Sequence, residues 1–291
     1  MNYLNGLTWG RIPGMRFLLH PNEKVTWGVS LENASPYYGG SGGGGIPTSP
    51  AALATSLLSQ TDQANVSGIA VPTVHPDIIS KLAFDPNSHV HAEFTGVEST
   101  VKIFNPTTQN FFTKAGGGGS FNGIFEVAPG FRLVTNNFWS DGEGRYLFGV
   151  VPNFIVHNDG SPSMIHSGST IQGFEYTKGN SLWYGYYGGI YAKKNTALDA
   201  NGTTPIGYGY SAAGSYPGHN RATQEGTVGL IQTLWRDSKY GAMQLMFQYA
   251  YFMRDPFFVP AGLPKNTHEN VVWFNVRYAL PGAAPAVVVA R

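Results

Sequence analysis

Two histidines one residue apart are the first candidates for chemistry in this sequence. His89 and His91 would share one face of a predicted strand, a spacing used in metal hydrolases, and Glu93 is the nearest carboxylate on that face. A metal site needs three or four ligands, and the sequence shows no further cluster of them. We therefore predict no metal and no other cofactor, and interpret the pair as inward-facing or close to a turn.

Two other kinds of motif lack the spacing that their chemistry requires. HSGST (166–170) places a serine beside a histidine without the G-x-S-x-G pattern of a nucleophile elbow. The glycine runs at 41–47 and 115–123 have no GxGxxG spacing and open no helix. We expect no catalysis, and interpret both glycine runs as flexible loops.

Isolated charged residues give a clearer signal. Most fall among small and polar residues on one face of predicted strands, where rings of charge can select ions. Arginine suits carboxylates because its planar fork binds both oxygens. We expect Arg16, Arg132 and Arg277 to contribute most, and the loop beginning at SDGEGR (140–145) to fold inward as a constriction. The candidate set is Arg16, Glu32, Lys81, Glu93, Arg132, Arg145, Glu225, Arg254 and Arg277.

The elements that would position these charges are strands with two different faces. In VTWGVSLE (25–32), Val, Trp, Val and Leu alternate with Thr, Gly, Ser and Glu. Segments 223–235, 241–253 and 270–280 run 11 to 13 residues. These segments are longer than the commonest strand length in soluble proteins, about 5 to 6 residues. A tilted strand of their length can cross a bilayer. These strands are predicted to present one face to lipid.

Short and long connections alternate along the chain, as in transmembrane barrels. The best helix candidate, 50–60, lies in the first long connection. Short polar turns are predicted at 20–24, 85–88, 128–130, 177–180 and 236–239. Long loops are predicted at about 35–75, 105–117, 141–168, 193–221 and 255–268.

Composition excludes several classes of protein. Charged residues are 12% of the chain, against about 25% in soluble domains. The net charge of +1 does not indicate the basic surface of a nucleic-acid-binding protein, so we expect no nucleic-acid partner. The chain has no cysteine, and no apolar run reaches the length of a transmembrane helix. A membrane would have to be crossed by strands.

Several segments, in order and spacing, resemble the DcaP-like porins of Gram-negative outer membranes. The resemblance implies a trimeric barrel of sixteen strands in outer-membrane lipid, passing small anionic solutes such as dicarboxylates. The segments are RIPGMRFLL (11–19), VSLENAS (29–35), PDIISKLAFD (76–85), HVHAEFTGV (89–97), SDGEGRY (140–146), FEYTKGNSLWYGYYGG (174–189) and NVRYAL (275–280).

The sequence departs from that family in its strand count and in its first residues. About eleven strands are predicted, whereas single-chain bacterial barrels have even counts. The first residues also lack the basic and apolar regions of a signal peptide. We expect a C-terminal portion of a longer porin, with barrel residues at 1–280 and a short tail at 281–291.

The prediction is therefore an all-β, transmembrane antiparallel β-barrel that forms a passive diffusion channel and is not an enzyme. One alternative is another outer-membrane barrel, an adhesin or an enzyme. The other is a soluble secreted β-sandwich that binds a ligand.

Overall fold

The computed structural model describes residues 5–8, 10, 12–39, 45–60, 71–210 and 218–281. The predicted tail beyond residue 281 and part of the first glycine run lie outside these residues. The elements are β1 (Gly14–Asn22), β2 (Val25–Glu32), α1 (Ala54–Gln60), β3 (Asp77–Asn87), β4 (Val90–Asn105), β5 (Asn110–Ala128), β6 (Phe131–Asp141), a 3-10 turn (Gly144–Tyr146), β7 (Phe154–Val156), β8 (Pro162–Met164), β9 (His166–Lys178), β10 (Ser181–Ala192), β11 (Asn195–Leu198), β12 (Pro205–Tyr208), β13 (Asn220–Asp237), β14 (Gly241–Pro256) and β15 (Thr267–Ala279).

Eleven of the described strands form one antiparallel sheet, which confirms the predicted all-β class and strand number. Its order is β1-β2-β3-β4-β5-β6-β9-β10-β13-β14-β15, so each long strand pairs with the next one along the chain. The hairpins β7–β8 and β11–β12 are separate. Among the described residues β1 and β15 are not paired with each other, so the sheet is open. No described helix is long and apolar enough to cross a membrane.

The structure corrects the predicted loop at 105–117. Strand β4 continues to Asn105 and β5 begins at Asn110, so only a four-residue turn joins them. The second glycine run therefore lies inside β5 rather than in a flexible loop. A Cβ on Gly118 would lie 3.0 Å from Cζ of Phe138 and 2.9 Å from Cβ of Ser140 on β6. Glycine is used here for close packing against the neighbouring strand, not for a left-handed turn.

The two faces of the sheet differ in chemistry. One face, which we call the bare face, exposes large apolar side chains such as Phe17, Trp139 and Phe247. The other, the covered face, carries Ser30, Ala83, Glu225, Thr227 and Gln248, all buried. The described residues form no second large sheet against the bare face, which the sandwich alternative would require.

The long connections pack onto the covered face. Leu147 and Ile155, from the connection between β6 and β9, join a core with Val97, Phe138 and Ile190 of the sheet. Each fully buried aliphatic side chain contributes roughly 1.5–3 kcal/mol. This apolar contact holds the connection against the sheet.

A second core anchors the first long connection. Leu53 and Leu57, before and within α1, pack with Val101 and Ile103 of β4 and with Phe154 of β7. The predicted helix is thus present, although it starts at Ala54 rather than residue 50.

Backbone hydrogen bonds tie the long connections to one another. Thr48 and Gly207 exchange two, each 2.9 Å long, and the Asn153 N–H donates to the Tyr37 carbonyl at 2.7 Å. Three connections that are distant in sequence therefore form one cap over the covered face.

Candidate functional site: the charged side of the sheet

The strand register places the predicted charged residues on the covered face. Directly paired residues of antiparallel strands point to the same side. Arg16 pairs with Ser30, and Arg277 pairs with the buried Gln244. The same reasoning from register or burial applies to the remaining strand members of the set. These are Glu32, Lys81, Glu93, Arg132, Glu225 and Arg254. Their role in selectivity stays a prediction.

Two of the predicted cationic residues form ion pairs with carboxylates on the covered face. Lys81 Nζ lies 2.6 Å from Glu93 Oε1, and Arg132 Nη2 lies 2.5 Å from Glu175 Oε2. Glu175 also accepts a 2.5 Å hydrogen bond from the Tyr186 hydroxyl. The sequence analysis missed Glu175, although its alternation with Gly173 and Ile171 would have placed it on this face. Arg132 is therefore paired with a carboxylate of the neighbouring strand.

Arg16 and Arg277 differ from Arg132. Within the described residues neither forms an ion pair. Both side chains are exposed, and they lie on β1 and β15, the two edge strands of the sheet. Among the strand arginines of the predicted selectivity set, these two are exposed and could bind an anion from solution.

Arg145 attaches the β6–β9 connection to the sheet. Its Nη1 lies 3.0 Å from Asp77 Oδ2, and the two side chains are only 7% and 0% exposed. Its guanidinium carbon stacks 4.9 Å from the Tyr146 ring centre, and the Tyr146 hydroxyl donates to Asp77 at 2.9 Å. The connection packs against the covered face and Arg145 holds it there, whereas the predicted constriction stays a prediction.

Glu143 is a buried acid beside this contact. The Ser99 hydroxyl donates to its Oε1 at 2.6 Å, while its Oε2 has no partner among the described residues. Burial raises the pKa of Glu143 to about 8, Ser99 partly opposes the shift, and the negative Asp77 adds to it. The carboxyl group is therefore protonated at neutral pH.

The histidines of HVH face separate carboxylates. His89 Nδ1 lies 3.0 Å from Glu126, and His91 Nδ1 lies 2.6 Å from Asp85. His91 Nε2 is also 3.3 Å from Glu93. The part of the chain that the structure describes contains no group of three or more metal-type ligands. These contacts are histidine–carboxylate pairs close to the short turns.

The serine and histidine of HSGST do not meet. His166 Nδ1 lies 3.3 Å from Asp141, whereas the Ser167 hydroxyl lies 3.0 Å from that of Ser140. Both residues belong to β9, so the predicted loop at 141–168 ends earlier than expected.

A cavity of about 350 Å³ lies between the cap and β13–β15. Glu225 and Glu269 contribute carboxylates, while Phe148, Ile190 and Phe252 contribute apolar surface. Glu225 accepts the Asn5 backbone N–H at 2.9 Å. The covered face therefore borders an open cavity that is lined by both charged and apolar groups.

Comparison with solved structures finds a similar fold in a membrane protein. One match is to the outer membrane channel DcaP of Acinetobacter baumannii, with a TM-score of 0.62 and 16% identity. The fold is similar to that of an outer membrane channel. The match covers 92% of this chain and 62% of the channel, so this chain spans less than two thirds of that protein's length. The resemblance to DcaP-like porins is confirmed for the fold. No family model and no curated protein matches the chain.

Proposed function

We propose that this chain forms part of the wall of an outer-membrane channel for passive diffusion of small hydrophilic solutes. One observation carries the proposal. A single long antiparallel sheet has an exposed apolar face, and its opposite face carries charged side chains and borders a cavity. Lipid suits the first face and water the second. The similarity in fold to a named outer membrane channel supports it.

The solute class follows from the free charges. Arg16 and Arg277 are exposed and unpaired among the described residues, whereas Lys81 and Arg132 are matched by carboxylates. A guanidinium fork binds a carboxylate through two parallel hydrogen bonds. We therefore propose small anions, including dicarboxylates, as the preferred solutes.

The remaining expectations belong to the same proposal. The similarity in fold to an outer membrane channel supports a Gram-negative outer membrane as the proposed location, and a homotrimer is the assembly that the family resemblance implies. The closed barrel of sixteen strands would need further strands beside β1 and β15, because both edges are open among the described residues.

Planar bilayer recording tests the channel. The complete barrel that contains this chain, extracted from membranes in detergent and added to a bilayer, should give stepwise conductance and a reversal potential that favours anions in a salt gradient. A water-soluble chain that gives no steps at any voltage would show that the proposal is wrong.

A further inference from the structure

The cavity between the cap and β13–β15 has an aromatic ring set between two acids on its sheet side. One row across the covered face reads Gly188, Glu225, Phe252 and Glu269, on β10, β13, β14 and β15. Directly paired residues point to the same side of a sheet. Neighbouring strands are about 4.8 Å apart, so the two glutamates leave the sheet about 10 Å from each other. A small molecule at the Phe252 ring would therefore have a carboxylate on either side.

Apolar groups line the rest of the cavity. Ala250 and Val271 are paired with each other on β14 and β15, and Phe148 and Val150 belong to the β6–β9 connection. The volume of about 350 Å³ is within the range of sites for small organic molecules. A ligand that fills this cavity therefore needs an apolar body as well as a polar group.

Phe148 reaches the cavity from a strained backbone. Its φ is 56°, in the left-handed region that bulky residues rarely adopt, and Gly149 follows with a φ of 66°. Such strain persists only where the surrounding structure holds it, and it is common where a ligand is clamped. The fold thus keeps an aromatic side chain at this cavity at the expense of local backbone strain.

Glu225 is a buried carboxylate with no cationic partner among the described residues. It is 7% exposed, its Oε2 accepts the Asn5 backbone N–H at 2.9 Å, and its Oε1 accepts the Thr227 hydroxyl at 2.9 Å. In the same part of the chain Glu269 forms no ion pair either. Buried charges in proteins are normally paired, because removing them from water is costly. A positive group in the cavity would supply that partner.

The charge of the cavity lining is one-sided. The described residues that line it include two glutamates and no lysine, arginine or histidine. Arg254 lies two residues beyond Phe252 on the same face, but its Nε donates to Asn220 Oδ1 and it is not among these lining residues. The cavity therefore attracts cations and repels anions.

We propose that this cavity is a binding site for small organic cations. An ammonium group would lie between Glu225 and Glu269 against the Phe252 ring, and the apolar body of the ligand would pack on Phe148. Carboxylates give an ammonium charge-assisted hydrogen bonds, and an aromatic ring attracts it through its π face. The inference goes beyond the proposed diffusion of anions and does not depend on it, because a site of this kind can be occupied whether or not the barrel conducts.

Three probes with a phenyl body and different charges test the site. They are 2-phenylethylammonium, 2-phenylethanol and 3-phenylpropanoate, titrated by calorimetry into the folded, complete barrel that contains this chain in detergent. The ammonium should bind saturably at one site, the alcohol about tenfold more weakly or less, and the carboxylate not at all. Added salt should weaken binding of the ammonium, because part of the attraction is between charges.

Two variants assign the binding to the cavity. Glu269→Gln should weaken binding of the ammonium about tenfold and leave that of the alcohol unchanged. Glu269 is exposed on an edge strand, so the sheet should fold without its charge, whereas Glu225 is left in place because it also holds Asn5. Phe252→Leu keeps apolar bulk and removes the ring, so it should weaken the ammonium more than the alcohol.

Glu23→Gln is the matched control, because it removes the same charge in the exposed β1–β2 turn, away from the cavity. Detergent takes up a probe equally in parent and variants, so a difference between them reports the cavity. Weaker binding of the ammonium in Glu269→Gln and Phe252→Leu, but not in Glu23→Gln, supports the proposal.

Four results would overturn it. They are no saturable binding of the ammonium, equal affinity for the three probes, parental affinity in either cavity variant, and an equal loss in Glu23→Gln. Failure of the channel proposal would appear in the bilayer recordings instead, because the titration measures binding without a current.

Discussion

At the residue scale, pairing decides which arginines can act on a solute. Arg132 is held by Glu175, whereas Arg16 and Arg277 have no ion pair among the described residues. The sequence placed all three on the same face but could not show pairing across strands, since Glu175 is 43 residues from Arg132. The strand register shows which charged residues pair across strands, and the alternation of residue types along one strand does not.

The first prediction concerns the unpaired arginines. Arg16→Ala/Arg277→Ala should shift the reversal potential in a salt gradient toward cations, with conductance equal to or above that of the parent, because two exposed positive charges are lost from the wall. Bilayer recording provides the measurement.

Arg132→Ala is the comparison for that variant. It should shift ion preference less and lower the free energy of unfolding by about 1–3 kcal/mol, because it removes a charged hydrogen-bond partner of the partly buried Glu175. If the double variant keeps the parent's preference, these two arginines do not set selectivity.

The second prediction distinguishes the two faces. Phe247, on the bare face of β14, packs against Phe274 with ring centres 4.9 Å apart. Phe247→Arg should lower the free energy of unfolding in a bilayer by about 2–4 kcal/mol, since it places a charge in lipid. Urea titration in lipid vesicles would measure the loss.

Asn275→Arg is the matched control on the covered face of the neighbouring strand, where Asn275 is exposed. It should be much milder. Gln248 is unsuitable for this purpose because it is buried and accepts a hydrogen bond from Tyr184. Equal losses from the two arginines would contradict the assignment of faces.

At the element scale, the β6–β9 connection is held by an acid whose protonation depends on pH. Packed Glu143 keeps its proton up to a pKa of about 8, from an ordinary value of 4.5. A released connection would lose that proton near 4.5. The free energy that holds the connection therefore falls as pH rises from about 4.5 to 8, and stays at the lower value above this range.

The third prediction follows from this weakening of the connection as pH rises. Amide hydrogen exchange in residues 142–165 should be faster at pH 9 than at pH 6 after correction for intrinsic rates, and Glu143→Gln should remove most of the difference. Gln accepts the Ser99 hydroxyl and carries no ionisable proton. Glu23→Gln, in the exposed β1–β2 turn, should leave the difference intact.

Most elements could be predicted from alternation and turn residues, and the misses have physical causes. The predicted short turns lie at or within a few residues of the observed ones, because Pro, Gly, Asn and Asp end strands for local reasons. The run at 115–123 was misplaced because its packing partners, such as Phe138, lie on another strand. Contacts between strands do not appear in a local pattern.

At the scale of the whole molecule, five short turns lie at one end of the strands, whereas the long connections and the short β4–β5 turn leave from the other end. The fourth prediction is that protease added to intact cells cuts within the long connections, in 35–75 or 193–221, and spares the β9–β10 and β13–β14 turns. Mapping the cleavage products by mass spectrometry would check it. In bacterial barrels the long loops face outward and the short turns face the periplasm, so cleavage confined to the two turns would contradict this orientation.

The cap also determines how this protein would be recognised from outside. Thr48 is bonded to Gly207, and Asn153 to Tyr37, through backbone atoms that no single segment contains. An antibody against the native cap would therefore bind a conformational epitope assembled from three segments. Synthetic peptides copied from one segment should compete poorly for such an antibody, and denatured protein on a blot should escape it.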